Sequence, residues 1–150
     1  MKILVSACLL GLNTRYDGKN LKNITVIEYL QKNNIVFYPL CAEQLGGLPT
    51  PREPSEIENG LSSKDILKGK GKVVSKSGKN VTNNFINGAY LVLDFCKRFG
   101  ITHAILQDDS PSCGFRKISD GTFTHNKIKG VGILTQLLKD NGIVIIDNLL

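Results

Sequence analysis

The sequence predicts an α/β fold, a three-layer, Rossmann-like domain over residues 1–150 with a mostly parallel sheet of about four strands. Three observations predict it. Short contiguous apolar runs recur, such as Ile3-Leu4-Val5 and Ile143-Val144-Ile145-Ile146, as in strands covered on both faces. Segments with apolar residues every three or four positions alternate with these runs. Glycine, proline and asparagine punctuate the boundaries between them.

Residues 2–7 read as the first buried strand, with Cys8 at its carboxyl end. A loop with Gly11 and Gly18 follows. Thr25 to Asn33 reads as a helix on the spacing of Val26, Ile27 and Leu30, and Asn33-Asn34 ends it. Ile35 to Leu40 is the second strand. Its Pro39 lacks an amide hydrogen and suits a sheet edge or strand end. Cys41 comes immediately after.

Residues 42–63 carry Gly46-Gly47, Pro49, Pro51 and Pro54 and read as a long, ordered, functional loop. Val73-Val74, Ser77-Gly78 and Val81 predict a small hairpin. Thr82 is the expected N-cap of the longest helix, Asn83 to Arg98, and Gly100 the residue that closes it. Thr102 to Leu106 is the third strand. After it come Ser110-Pro111-Ser112-Cys113-Gly114 and an irregular segment as far as His125. Gly130 to Asn141 reads as a helix stopped by Gly142, and Ile143 to Ile146 as the fourth strand.

A chain of 150 residues, 41% hydrophobic and 21% charged, can bury a core without disulfide staples. No apolar run approaches the ~20 residues of a membrane helix. Val5-Ser6-Ala7-Cys8 has the small-residue-then-cysteine look of a lipoprotein signal. The apolar stretch before it is only Ile3-Leu4-Val5, so a strand is expected. The expected compartment is therefore the cytoplasm, where thiols stay reduced and cysteines serve metals or catalysis.

The net charge of +6 owes much to Lys64, Lys68, Lys70, Lys72, Lys76 and Lys79. Such a run could attract RNA, and an RNA-binding protein is one alternative reading. Without interleaved aromatics it is a weak nucleic-acid signal, and a solvated hairpin is the expectation.

In parallel sheets ligands bind outside the carboxyl ends of the strands. Cys8, Cys41 and Cys113 all follow such ends, and adjacent strands lie ~4.8 Å apart. The three thiols are therefore expected to converge on a metal centre. Cys96 instead falls on the apolar pattern of a helix and reads as core. Thiolates suit zinc or an iron–sulfur cluster. Zinc would make a stabilised binding module with a fourth ligand from His125 or His103. A 4Fe–4S cluster normally has four cysteines. With three, one iron stays open for substrate.

Glu43, two residues past Cys41, is placed to act as general acid or base if desolvation raises its pKa. Ser110 and Ser112 could hydrogen-bond a substrate or a cluster sulfur. Asp108 and Asp109 read as turn residues, with Asp109 the more interesting beside Ser110. Arg15, Tyr16 and Asp17 could recognise a polar ring or form an ion-paired turn. Arg52 and Glu56 could pair within the long loop. No phosphate-binding glycine loop, nucleophile elbow or His-Glu-x-x-His motif is present.

Ser6-Ala7-Cys8-Leu9-Leu10-Gly11, Arg15-Tyr16-Asp17-Gly18, Cys41-Ala42-Glu43, Gly46-Gly47-Leu48, Pro51-Arg52, Ser110-Pro111-Ser112-Cys113-Gly114 and Gly121-Thr122-Phe123 together resemble the thiouracil desulfurases. The resemblance runs through essentially the whole chain. It implies a 4Fe–4S cluster on Cys8, Cys41 and Cys113, easily lost in air. It also implies a small thiolated base as partner, whose sulfur passes to the open iron and is replaced by water. Glu43 matches the proton-handling carboxylate and Ser110 the assisting serine. Ala42 departs from the proline common in the family, which implies a looser loop. Asp108-Asp109 departs from basic or polar residues, which alters the charge beside the site.

Overall fold

A computed structural model describes residues 1–149. Its main sheet has four strands, β1 (Lys2–Ser6), β2 (Val36–Leu40), β5 (His103–Ile105) and β8 (Val144–Ile145), in the order β2-β1-β5-β8. All the pairings are parallel, with Ile3 beside Phe37 on one side and beside His103 on the other. β2 is an edge strand, so Pro39 sits where a missing amide hydrogen is tolerated.

β1 shows why its apolar run has no polar alternation. Successive side chains of a strand point to opposite faces. Ile3 and Val5 pack with Val26 and Leu30 of α1 (Ile24–Lys32) and with Leu9. Leu4 packs on the other face with Phe85, Ala89 and Val92 of α4 (Thr82–Phe99) and Leu134 and Leu138 of α5 (Ile133–Asp140). Helices cover both faces, giving the three layers. Cys96 is buried among the apolar residues of α4.

The long loops contain more structure than their prolines and glycines suggest. Residues 42–63 hold α2 (Ala42–Leu45) and β3 (Ser55–Ile57), and α3 (Ser63–Leu67) follows with a Ser62–Asp65 capping box. β4 (Val73–Ser75) pairs antiparallel with β3, and the expected local hairpin forms as well, with Val81 N donating to Val73 O and Ser75 N to Lys79 O, both at 2.9 Å, around a bridge from Val74 to Asn80. The irregular segment before His125 contains β6 (Lys117–Ser119), paired with β7 (Lys127–Lys129).

Thr82 is not the N-cap. It opens α4, while Asn80 Oδ1 accepts from its amide at 3.0 Å, and the Thr82 hydroxyl oxygen accepts from Val73 N at 3.0 Å. At the other end Gly100 has φ 68°, the left-handed closure expected of it.

α2 and α4 pack backbone to backbone. A Cβ on Gly46 or Gly88 would lie 2.0 Å from the carbonyl oxygen of Asn84 or Ala42 respectively. This contact seats the Cys41–Glu43 corner. Ala42 is the first helical residue of α2 and is buried, at a position where proline and alanine are both accommodated.

Candidate active site

The chain leaves β1 toward β2 on one side and reaches β5 on the other. The order of the sheet therefore reverses between β1 and β5, where a crevice opens outside the carboxyl ends. A cavity of about 550 Å³ lies there. Cys8, Cys41, Cys113, Glu43, Ser110 and Ser112 line it, as do Arg15, Tyr16 and Asp109.

Each cysteine is held differently. Cys8 sits in a 3-10 turn, Ala7–Leu10, that continues β1, and its carbonyl accepts from Gly11 N and Leu21 N. Cys41 is the N-cap of α2, with its thiol 3.8 Å from Thr14 O. Cys113 belongs to a loop docked on the start of α5. The helix's first amides lack partners of their own. Here Gly132, Ile133 and Leu134 donate to the carbonyls of Gly114, Pro111 and Ser112, at 2.7, 2.9 and 2.9 Å. Thr135 Oγ1 donates to Cys113 O. Gly132 permits this approach, since a Cβ there would lie 2.4 Å from the Ser112 carbonyl.

All four cysteines are free thiols. Burial pushes the Cys8 thiol up to about 11, with Cys41 beside it adding to the rise. Burial pushes Cys113 up to about 12; hydrogen bonds from Ser6 and Ser112 oppose this, while Cys41 and Glu43 add to it. Cys41 therefore lies within electrostatic reach of both Cys8 and Cys113. At neutral pH Cys8 and Cys113 are protonated, and any metal they held would have to displace those protons. Burial alone pushes Cys96 up to about 11, as befits an inert core thiol.

Glu43 and Ser112 connect the cysteine corner to the Ser110 loop. Ser112 Oγ donates to Glu43 Oε2 at 2.7 Å, Ser110 Oγ lies 3.2 Å from Ser112 Oγ, and Cys113 N donates to Ser110 Oγ at 2.7 Å. Ser112, expected to meet a substrate, spends its hydrogen on Glu43 and bridges that carboxylate to Ser110.

Arg52 completes the chain and was not foreseen as part of the site. It pairs with Glu43, Nε to Oε1 at 2.9 Å, rather than with Glu56. It also donates to Thr14 O, Pro49 O and Thr50 Oγ1, and its side chain is only 6% exposed against 13% for Glu43. The one sequence signal was Pro51-Arg52 itself, since nothing local marks a partner nine residues away. Removing one member of a buried pair leaves an uncompensated charge. Arg52→Ala is expected to cost about 3–5 kcal/mol in urea unfolding. Arg52→Lys should restore little of it, lacking the planar fork.

Asp108 is a clasp. Its Oδ1 accepts from the amides of Asp109, Phe115 and Arg116 at 3.0 to 3.1 Å, closing both ends of the cysteine loop. Against the penalty of desolvation, the amides of Arg116, Phe115 and Asp109 hold its carboxyl below the ordinary range. A depressed carboxyl stabilises the fold above its unfolded value near ~4, and this is lost as pH falls through the lower folded value. Asp108→Ala should therefore lower stability by about 2 kcal/mol at neutral pH. The gap from the parent should close in acid, as urea titrations at several pH values would show.

The remaining expectations divide. Arg15 and Tyr16 line the cavity, with the guanidinium 5.3 Å from the Tyr16 ring centre. Asp17 is not among the lining residues; it ion-pairs with Arg15 at 3.7 Å and accepts from Lys19 N. Asp109 has φ 74° and Lys117 Nζ 3.7 Å from Oδ1, so its charge has a counter-ion.

His103 opens β5, at the opposite end of the strand from the cysteine loop, against Thr102 Oγ1. It is no candidate ligand. His125 lines the cavity. Among the described residues, however, no three Cys, His, Asp or Glu side chains stand close enough to hold one ion. Of the charged run only Lys76 reaches the cavity.

A parallel α/β sheet thus gathers thiols, a carboxylate and hydroxyls at its switch point, the set of groups an enzyme site needs. The chain belongs to the 2-thiouracil desulfurase family, whose model matches residues 3–148, and it is an enzyme of the desulfurase type. It is similar to the Bacillus subtilis (strain 168) protein named Uncharacterized protein YbbK, 40% identical over 140 residues, covering 93% of this chain and 91% of that one. Among solved structures it is similar to a [4Fe-4S]-dependent thiouracil desulfidase, TudS. The TM-score is 0.83 at 39% identity, covering 96% of this chain and 88% of that one. No described helix is long and apolar enough to cross a membrane.

Proposed function

We propose that this chain removes sulfur from a small thiolated nucleobase such as thiouracil, with a 4Fe–4S cluster held by Cys8, Cys41 and Cys113. One observation carries the reading: three free thiols and the Ser110–Ser112–Glu43–Arg52 chain meet in one cavity. The donor set fits the cluster, being soft, free of competing disulfides and spread around the cavity. When bound, the cluster supplies an iron without a protein ligand, a Lewis acid for the thiocarbonyl sulfur.

The protein's own groups handle the proton and the fit. Exchange of C=S for C=O consumes one water and releases hydrogen sulfide, with no net electrons. Glu43 Oε2 accepts the proton of the attacking water, directly or through Ser112 Oγ. Ser110 Oγ, beside Ser112, returns a proton to the departing side. Arg52 fixes Glu43 through Oε1 and leaves Oε2 for this exchange. Arg15 and Tyr16 bound the space for the base, with Asp17 orienting Arg15. Asp109 lies at the same wall, partly neutralised by Lys117. Anaerobically reconstituted protein should convert 2-thiouracil to uracil with stoichiometric sulfide. Loaded protein that converts no thiolated pyrimidine would refute the reading.

A further inference from the structure

Part of the cavity lining comes from two antiparallel strand pairs, β3 with β4 and β6 with β7, that the mechanism above does not use. Glu56 of β3 and Phe123 of the turn between β6 and β7 both line it. Glu56 is 7% exposed and makes no salt bridge among the described residues. A buried carboxylate without a cation is costly and needs other partners. It finds them in the opposite turn, where Gly121 N and Phe123 N donate to Oε1 at 2.9 and 3.3 Å.

A second contact fixes the same turn. Gly121 lies directly on the backbone after β3, where a Cβ would meet Ile57 O at 2.6 Å and Asn59 N at 3.0 Å. Within the turn, Asp120 accepts from Thr122 N and from Asn126 Nδ2, closing it on itself. Phe123 is held at φ 58°, a left-handed backbone that a bulky residue seldom adopts unless its surroundings impose it. Tyr16 already faces the Arg15 guanidinium, whereas Phe123 stacks on no ring or guanidinium among the described residues.

We propose that Phe123 is the aromatic wall against which a flat heteroaromatic ring stacks, and that Glu56 is the positioning residue that holds it there. The inference rests on the thiolated-base reading and adds the wall that selects ring planarity. Aromatic stacking of a base is worth roughly tenfold or more in affinity. A puckered ring of the same polar edge makes poor contact with a flat face.

The test compares uracil with 5,6-dihydrouracil on the full-length, cluster-loaded protein, by calorimetric Kd, alongside kcat and KM for 2-thiouracil. The parent should prefer uracil about tenfold. Phe123→Leu, which keeps apolar volume, and Phe123→Ala should bring the ratio near one and raise KM, with kcat within about twofold. Glu56→Ala should do the same. Glu56→Gln should retain the preference, because its carbonyl still accepts from both amides. The double variant Glu56→Ala/Phe123→Ala should be no worse than Phe123→Ala.

An unchanged ratio in Phe123→Leu overturns the proposal, as do additive losses in the double variant. Should Glu56→Ala fail to fold, Phe123→Leu and Glu56→Gln still decide it. A parent that converts 2-thiouracil yet shows no preference sinks this inference alone. A parent that binds neither base and converts nothing sinks it together with the proposed function.

Discussion

Serine in place of Cys8, Cys41 or Cys113 is expected to abolish cluster retention and desulfuration together, each substitution alone sufficing. The three come from separate elements, the turn after β1, the cap of α2 and the loop on α5, yet line one cavity. Serine is nearly isosteric but presents a hard, weakly acidic oxygen where a soft thiolate is needed. Cys96→Ala is the matched control. It removes a buried core thiol of α4 and should cost about 1 kcal/mol in packing, with iron content and turnover unchanged. Iron and sulfide analysis of the four variants, prepared without oxygen, checks both halves.

Glu43→Gln should lower kcat about 10²- to 10⁴-fold with the cluster retained, the range lost with a general base. The amide matches the carboxylate in shape and can still accept from Ser112, but it cannot take a proton. The change also leaves the Arg52 guanidinium without its counter-charge, so stability should fall as well. Single-turnover rates on cluster-loaded protein separate the two effects. Loss of rate in the folded, loaded variant is the catalytic part. A variant that turns over normally would remove Glu43 from the chemistry.

The sheet and the site were legible in the sequence to different depths. β1 stood out because a contiguous apolar run buried on both faces has no other easy reading, and β2 by its apolar run alone, although at the sheet edge its residues are exposed or half-buried. α4 and α5 stood out because each carries a long apolar stripe. That Cys8, Cys41 and Cys113 line one cavity followed from where ligands gather on parallel sheets, and it needed no local motif. β3, β6 and β7 did not stand out. Each is three residues long, with polar residues such as Ser55, Glu56, Lys117 and Lys127. Their stability comes from tertiary pairing, which no window of sequence contains. The Val73–Val81 hairpin was legible and forms, while the pairing of β4 with β3, about twenty residues upstream, was not.

Polar pairings were the hardest to foresee. Arg52 and Glu56 lie four apart in the sequence and read as a pair, yet each bonds elsewhere, Arg52 to Glu43 and Glu56 to the turn at Phe123. Thr82 reads as a cap, but Val81 holds the cap position, and Asn80, one residue further out, accepts from the Thr82 amide. A side chain's polarity says that it needs a partner; only the fold decides which one is in reach.

The central claim is that three thiols around one cavity hold an iron–sulfur cluster. Iron and acid-labile sulfide content, with the visible spectrum, measured on protein purified or reconstituted without oxygen, tests it most directly. The account predicts brown protein with iron and sulfide in near-equal amounts, about four of each per chain, and loss of the colour when any one of the three cysteines is replaced. Colourless protein after reconstitution, or protein carrying zinc alone, would contradict it.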